Sequence, residues 1–311
     1  MEEFLWAQKY RPKKVEDCIL PDRLKRIFQE YVDRKSIPNL MLTGGPGVGK
    51  TTAALAMCDE IDADYLFINS SEERGIDTLR TKIRSFASTI SFTGGRKVII
   101  LDEADYITPD AQAALRGAIE EFSSNCSFIF TCNFKAKLIE AIHSRCSVIE
   151  FTLHKEEKAK MASAFFSRLS DILDKESVEF EKNVLVEIVK KFFPDYRRCL
   201  NELQRYSSFG KIDAGVLAQV SAIRSIAELI GHLKDKNFSE MRKWVVMNSD
   251  VDSARIFRMI YDSMYEYVRP DSIPQLVILL SKYQYQSAFV ADHEINLVAC
   301  MTEIMVSCEF K

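Results

Sequence analysis

Gly44-Gly45-Pro46-Gly47-Val48-Gly49-Lys50-Thr51 satisfies the pattern Gly-x4-Gly-Lys-Ser/Thr at every required position. Asn39-Leu40-Met41-Leu42 before it is a short apolar run that reads as a buried strand. Thr52-Ala53-Ala54-Leu55-Ala56-Met57 after it reads as the opening turns of a helix. Strand, glycine-rich loop and helix in that order are the setting such a loop needs. The residue types carry the chemistry. Glycines let backbone N–H groups surround the β- and γ-phosphates at the positive end of the helix. Lys50 sets a point charge on those phosphates, and Thr51 offers a hydroxyl to Mg²⁺. The stretch implies a nucleoside triphosphate site with Gly47, Val48, Gly49, Lys50, Thr51 and Thr52 around the ligand.

The rest of the composition bounds the molecule. A chain of 311 residues suggests two or three domains, and an apolar fraction of 47% supplies an ordinary globular core. The net charge of −3 means that any nucleic-acid site must be a local patch. Eight cysteines are scattered with no Cys-x-x-Cys pair, which argues against a zinc ribbon and for free thiols in a reducing cytoplasm. The opening Met1-Glu2-Glu3-Phe4-Leu5-Trp6 is acidic and lacks a basic-then-apolar signal, and the apolar run Leu276 to Leu280 is far too short to span a membrane. A soluble intracellular protein is expected.

Outward from the loop, periodicity marks further elements. Residues 22–36 read as an amphipathic helix with Leu24, Ile27, Phe28, Tyr31 and Val32 on one side. Tyr65-Leu66-Phe67-Ile68 is a strand, followed by Ile76, Leu79, Ile83, Phe86 and Ile90 at helical spacing that should face a core. Arg80 and Arg84 share another face of that helix, which charge alone reads as a solvated basic surface. Val98-Ile99-Ile100-Leu101 runs into Asp102-Glu103-Ala104-Asp105. A strand end there places Asp102 to hold Mg²⁺ through water and Glu103 to polarise an attacking water. The same four letters spell the signature of one helicase superfamily, but the other helicase motifs and a second motor domain do not accompany them. Ser127-Phe128-Ile129-Phe130-Thr131-Cys132 is a further buried strand ending at Asn133, and Val148-Ile149-Glu150-Phe151 is the last. No His or carboxylate stands at metal-ligand spacing from His143, which reads as a loop residue. Beyond Phe151 the pattern turns wholly helical: residues 155–174 with Met161, Phe165, Leu169 and Leu173, then 182–193, then a helix opening at Phe193-Pro194-Asp195-Tyr196-Arg197. Gly210 to Gly215 looks like a turn region, and 222–311 reads as several more helices without a catalytic constellation.

Several of these stretches resemble the ATP-hydrolysing subunits of sliding-clamp loaders, AAA+ ATPases, most closely the T-even bacteriophage type and next the cellular replication factor C small subunits. Trp6-Ala7-Gln8-Lys9-Tyr10-Arg11-Pro12 resembles the box that opens those chains, and the resemblance implies that Ala7, Gln8, Lys9, Tyr10 and Ile19 enclose the adenine of ATP. It implies further that the helix bearing Arg80, Lys82 and Arg84, with Arg74 before it, lines a DNA channel, and that Gln112 and Arg116 couple that channel to the ATP site. Asn133 is similar to a sensor that orients the lytic water. Ser144-Arg145-Cys146 is similar to the loop that sends a finger, Arg145, onto a neighbour's ATP. Phe193-Pro194-Asp195-Tyr196-Arg197 resembles a second sensor reaching from a lid, the role falling on Arg197, although Pro194 stands where Gly is common.

The implied architecture is an α/β AAA+ domain with a parallel sheet over residues 1–151, an all-α lid over 152–221 and an all-α collar for oligomerisation over 222–311. The implied cofactors are ATP and Mg²⁺. The implied partners are primer–template DNA, a sliding clamp, other copies of the chain and a non-identical loader subunit, with no membrane, in the cytoplasm (that of the host if the chain is viral). Two rival classes stand beside this one. A non-hydrolysing loader subunit need not keep Lys50, Asp102, Glu103 and Asn133 together, and a different AAA+ DNA motor or helicase loader would lack the Tyr10-Arg11-Pro12 and Ser144-Arg145-Cys146 boxes.

Overall fold

The computed structural model describes residues 5–73, 75–91, 95–208, 210–213, 226–249 and 251–311. Arg74, the end of the expected turn at Gly215 and the expected 221/222 border lie outside the described residues. The chain forms two compact units, Met1–Ala214 and Gly215–Lys311.

The first unit is built on five parallel strands: β1 (Leu40–Thr43), β2 (Tyr65–Asn69), β3 (Lys97–Asp102), β4 (Cys126–Cys132) and β5 (Ser147–Glu150). They lie in the order β2-β3-β4-β1-β5. Every residue of β1 and β4 is buried, as expected of central parallel strands covered on both faces, whereas the edge strands β2 and β5 are partly exposed. Leu40 pairs with Ile129 on one side and Ser147 on the other, and Ile100 pairs with Ile129. This order brings the C-terminal ends of β1, β3 and β4 side by side, the edge at which open parallel sheets bind their ligands.

Helices cover both faces. α1 (Trp6–Lys9) and α2 (Asp22–Asp33) precede β1. α3 (Lys50–Glu60) is apolar nearly all round, with Ala53 to Cys58 buried. α4 (Ile76–Ala87), α5 (Pro109–Glu121) and the single turn α6 (Glu140–His143) complete the sheet layers. His143, expected in a loop, closes that turn, and its Nε2 is 2.9 Å from the Lys135 carbonyl oxygen. The helix expected over 22–36 stops at Asp33, because Lys35 takes a left-handed φ of 48° before Pro38. Ile90, expected on a core face, is 89% exposed. Helix α4 ends at Ala87, so the face that buries Leu79 and Ile83 no longer extends to residue 90.

Three more helices finish this unit: α7 (Lys155–Lys175), α8 (Lys182–Phe192) and α9 (Tyr196–Ser207). Met161, Phe165, Leu169 and Leu173 of α7 are all buried. Asp195 caps α9, its Oδ1 accepting from the Arg198 N–H at 3.0 Å, so the helix starts three residues later than Phe193.

The described part of the second unit consists of α10 (Ile226–Lys234), α11 (Phe238–Met247), α12 (Ser253–Tyr267), α13 (Ile273–Gln286) and α14 (His293–Ser307) around one core, with Trp244, Phe257, Leu276, Leu280, Leu297, Met301 and Ile304 inside. Among the described residues no helix is long and apolar enough to cross a membrane. The run Leu276 to Leu280 shows how helical geometry divides like residues: Leu279 is 2% exposed and Ile278 is 61% exposed. Leu279→Ala should therefore cost about 2–5 kcal/mol of this unit's stability, whereas Ile278→Ala should stay within about 0.5 kcal/mol. Denaturant unfolding measures both, and equal losses would contradict this packing.

Candidate nucleotide site

The loop between β1 and α3 folds as its composition demands. Gly47 and Gly49 have φ of 71° and 94°, a region that glycine enters freely. A Cβ on Gly47 would stand 1.8 Å from Asp195 Oδ1, and the Tyr196 N–H donates to the Gly47 carbonyl at 3.1 Å. The start of α9 is thus laid directly on the loop, and only a residue without a side chain fits between them.

Lys50 opens α3 and is buried. Its Nζ donates to the carbonyls of Gly44 and Gly45, each at 2.7 Å, and to Asn133 Oδ1 at 2.9 Å. Burial pushes its pKa below the ordinary lysine value, the carboxylates of Asp102 and Asp105 opposing that fall only in part. Beside it, Asp102 ends β3, and its Oδ1 accepts from Thr51 Oγ1 at 2.6 Å and from Thr131 Oγ1 at 2.5 Å. Thr131 Oγ1 also accepts from the Glu103 N–H at 3.1 Å. Glu103 has a φ of 55°, in the sparsely populated left-handed region, which turns the chain sharply as it leaves the strand. The Thr51–Asp102 pair is a hydroxyl and a carboxylate already held together, a donor set that fits a hard divalent cation.

These groups share one cleft. Its walls include Gly47, Val48, Gly49, Lys50, Thr51, Thr52, Asp102, Glu103, Asn133 and Arg197. Its far end is apolar, formed by Ala7, Tyr10, Ile19, Phe165, Ile172 and Leu200. The cleft opens to solvent, and its empty space including the open mouth is about 1110 Å³. A polar side holding Lys50 and an apolar side of ring and aliphatic side chains match the two halves of a nucleoside triphosphate. Of the two adjacent arginines, Arg197 borders the cleft, and Arg198 lies over the Phe192 ring with its guanidinium carbon 4.8 Å from the centroid.

Two of the expected base-pocket residues are placed elsewhere. Gln8 and Lys9 do not line the cleft: both are exposed, and Lys9 Nζ pairs with Glu176 at 2.6 Å. The reason is helical geometry, since the single turn α1 aims Trp6, Ala7 and Tyr10 inward and so turns Gln8 and Lys9 out.

The remaining expected residues stand outside the cleft. Arg80, Lys82 and Arg84 are exposed on α4; Lys82 Nζ pairs with Glu73 at 2.7 Å and Arg84 with Glu121 at 3.4 Å, while among the described residues Arg80 has no ion partner. Gln112 is buried and fully engaged. Its Nε2 donates to the carbonyls of Ile107 at 3.0 Å and Lys137 at 3.1 Å, and its Oε1 accepts from the Ile139 N–H at 2.8 Å. It thereby ties α5 to the segments that follow Glu103 and Asn133. Arg116 is exposed on the same helix. Arg145 folds back on Glu120, Nε donating to its Oε1 at 3.0 Å, and also donates to the Ala141 carbonyl at 2.8 Å. That guanidinium holds the Glu120 carboxyl below its usual range.

Thr131 and Arg168 were not anticipated. A lone hydroxyl in the apolar strand Phe128-Ile129-Phe130-Thr131-Cys132 was a usable signal, because a buried polar group needs a partner. Arg168 carried a similar one: a cation placed between the apolar positions Phe165 and Ile172 of α7.

Comparison with known proteins agrees with this geometry. Residues 40–153 match the model of the ATPase family associated with various cellular activities, and residues 157–218 match the AAA+ ATPase lid domain of the sliding-clamp-loader large subunit. The chain is 34% identical to the sliding-clamp-loader large subunit of Enterobacteria phage T4, over all of this chain and 98% of that one. It is 39% identical to the corresponding protein of Escherichia phage RB69, over 78% and 77%, and 37% identical to a replication factor C small subunit of Archaeoglobus fulgidus, over 78% of each. A branch-migration motor from Thermotoga maritima shares the fold at a TM-score of 0.53 and 17% identity, over 68% of this chain and 72% of that one.

Gly47→Ala tests the cleft. A side chain there meets Asp195 and must hold a left-handed φ, so ATP affinity should fall at least about tenfold. Unchanged affinity by calorimetry would show that the loop tolerates a Cβ and does not close around a ligand.

Proposed function

The chain belongs to the AAA+ ATPases of sliding-clamp loaders, and from that membership we propose that it hydrolyses Mg-ATP to open a ring-shaped clamp and set it on primer–template DNA. In this reading it works in a cytoplasm, together with other copies of itself and a non-identical loader subunit. The observation that carries the reading is the meeting of Lys50, Thr51, Asp102, Glu103, Asn133 and Arg197 around one cleft, with Thr51 and Asp102 already in contact. A subunit that only binds and never hydrolyses has no need of that whole set.

Each group has a role that follows from its place. Lys50, with little water around it, lends its charge to the β- and γ-phosphates. Thr51 and Asp102 would hold Mg²⁺, which when bound neutralises charge on the phosphates. Glu103 accepts the proton of the attacking water, and Asn133, already fixed by Lys50, orients that water. Arg197 reaches the phosphates from the lid helices. Ala7, Tyr10 and Ile19 enclose the base, while Lys9, outside that pocket, ties the arm to Glu176 and Gln8 is exposed beside it. Arg80, Lys82 and Arg84 offer cations to DNA phosphates, with Arg74 as a further candidate outside the described residues. Gln112 joins α5 to the loops after Glu103 and Asn133 and Arg116 stands on its exposed side, which supports the reading that α5 carries a signal between DNA and nucleotide.

The test is ATP turnover with clamp and primed DNA supplied singly and together. Turnover should rise well beyond the sum of the separate effects, and Glu103→Gln should keep ATP binding while losing about 10²–10⁴-fold in rate. Single-turnover hydrolysis near wild type in Glu103→Gln would remove Glu103 from catalysis, and no joint stimulation would remove the clamp-loading reading.

Arg145 does not line the cleft of its own chain, which supports the reading that it serves a neighbour's nucleotide. Fingers of this kind contribute about 10³–10⁵ in rate in GTPases, and a smaller loss is expected for Arg145→Ala. Mixing Arg145→Ala with Lys50→Ala subunits should restore part of the activity, since some interfaces then join an intact Arg145 to an intact Lys50. Mixed rings as inactive as either variant alone would show that Arg145 acts only within its own chain.

A further inference from the structure

Helix α7 faces the apolar end of the cleft with Phe165, Arg168 and Ile172, and Glu176 stands at its C-terminal cap. Arg168 and Glu176 are eight residues apart, two turns or about 12 Å along one side of the helix. Both hold the N-terminal arm. Arg168 Nη2 donates to the Tyr10 carbonyl and Nη1 to the Asp17 carbonyl, each at 2.9 Å. Glu176 accepts from the Tyr10 hydroxyl and from Lys9 Nζ, the latter at 2.6 Å, and these two donors hold its carboxyl below the usual range. Tyr10 is therefore gripped at both ends, its backbone by Arg168 and its phenol by Glu176. A third tie joins the Trp6 N–H to Gln204 Oε1 on α9 at 3.0 Å.

Arm and lid helices meet at the end of the cleft where the base would lie, and neither alone makes that end. Ala7, Tyr10 and Ile19 come from the arm; Phe165, Ile172 and Leu200 come from α7 and α9. The arm carries little structure of its own, a single helical turn followed by extended and turn segments up to residue 21. We propose that Arg168 and Glu176 are positioning residues that clasp the arm to α7, fixing the width of the base pocket and thereby the affinity for adenine nucleotides as distinct from bare polyphosphate. The proposal rests on the nucleotide reading of this cleft and adds which side chains build its base-binding half.

The grip is strong where it needs to be. Hydrogen bonds to a charged partner contribute more than neutral ones, and Arg168 makes two, to carbonyls on either side of the Arg11–Pro12 bend. The hydrogen bonds of Arg168 and Glu176 go to the arm and not to Lys50, Thr51 or Asp102, which with Arg197 of α9 make the phosphate end. A defect in the clasp should consequently be felt by the base and not by the phosphates. That separates positioning from general destabilisation.

The experiment uses the full chain and two probes, Mg-ATP and inorganic tripolyphosphate with Mg²⁺, each titrated by calorimetry. Arg168→Met keeps the length of the stem but cannot donate, and Glu176→Ala removes the acceptor. Each should weaken ATP about tenfold and leave tripolyphosphate within about twofold of wild type. Arg168→Lys, which can reach one carbonyl, should fall between. Tyr10→Phe deletes only the hydroxyl and keeps the ring; combined with Glu176→Ala it should cost no more than the larger single change, since both break one contact. Unchanged ATP affinity in both Arg168→Met and Glu176→Ala overturns the clasp, and so does equal weakening of the two probes. Wild-type chain that binds neither probe would overturn the nucleotide reading itself, before any variant is compared.

Discussion

Lys50 Nζ is held by three neutral oxygens in a place where water has little access, and the rest of the first unit is arranged to keep it there. A buried ammonium without a paired carboxylate is costly, which is why burial depresses its pKa. An anion delivered into the cleft supplies the missing countercharge, so the cost in the free protein becomes affinity for a polyphosphate. The three oxygens depend on the sheet. Gly44 and Gly45 follow β1, which is held between β4 and β5, and Asn133 follows β4. A shift in either pairing would dissolve the cage.

A second constraint sits one strand over. Asp102 is fastened by two hydroxyls, one from α3 and one from β4, and Thr131 also takes the Glu103 N–H. One threonine thus sets the carboxylate suited to the metal and the backbone of the carboxylate suited to the water. Gln112 does similar work further out, binding three backbone groups from the segments after Glu103 and Asn133. Both are buried polar networks with their partners supplied, the condition under which such groups hold a geometry instead of weakening it.

Much of this was legible beforehand. A central parallel strand announces itself as an unbroken apolar run, and a phosphate loop as glycines at fixed spacing, because each is a local requirement of the backbone. Asp102 was read from the end of such a strand, whereas Asn133 and Arg197 were read from the family resemblance; all three border the cleft. What stayed hidden depends on contacts between distant segments. Thr131, Arg168 and Glu176 follow no spacing rule, for their partners lie 29, 158 and 166 residues away. Gln8, Lys9 and Ile90 were misplaced for a related reason. Membership of a motif, or of a helical spacing, did not reveal which side of a short turn faces inward or where α4 stops.

The arginines show how the same side chain is fitted to different ends. Arg168 is spent: two of its nitrogens serve backbone carbonyls, and losing it loosens two segments at once. Arg145 is lightly held. Its main partner is the exposed Glu120, a pair that solvent screens in part, and the Ala141 carbonyl takes a further N–H. Glu120 sits on α5, the helix that also carries Gln112 and Arg116. Arg145 is therefore tied to the same helix that Gln112 ties to the segments after Glu103 and Asn133.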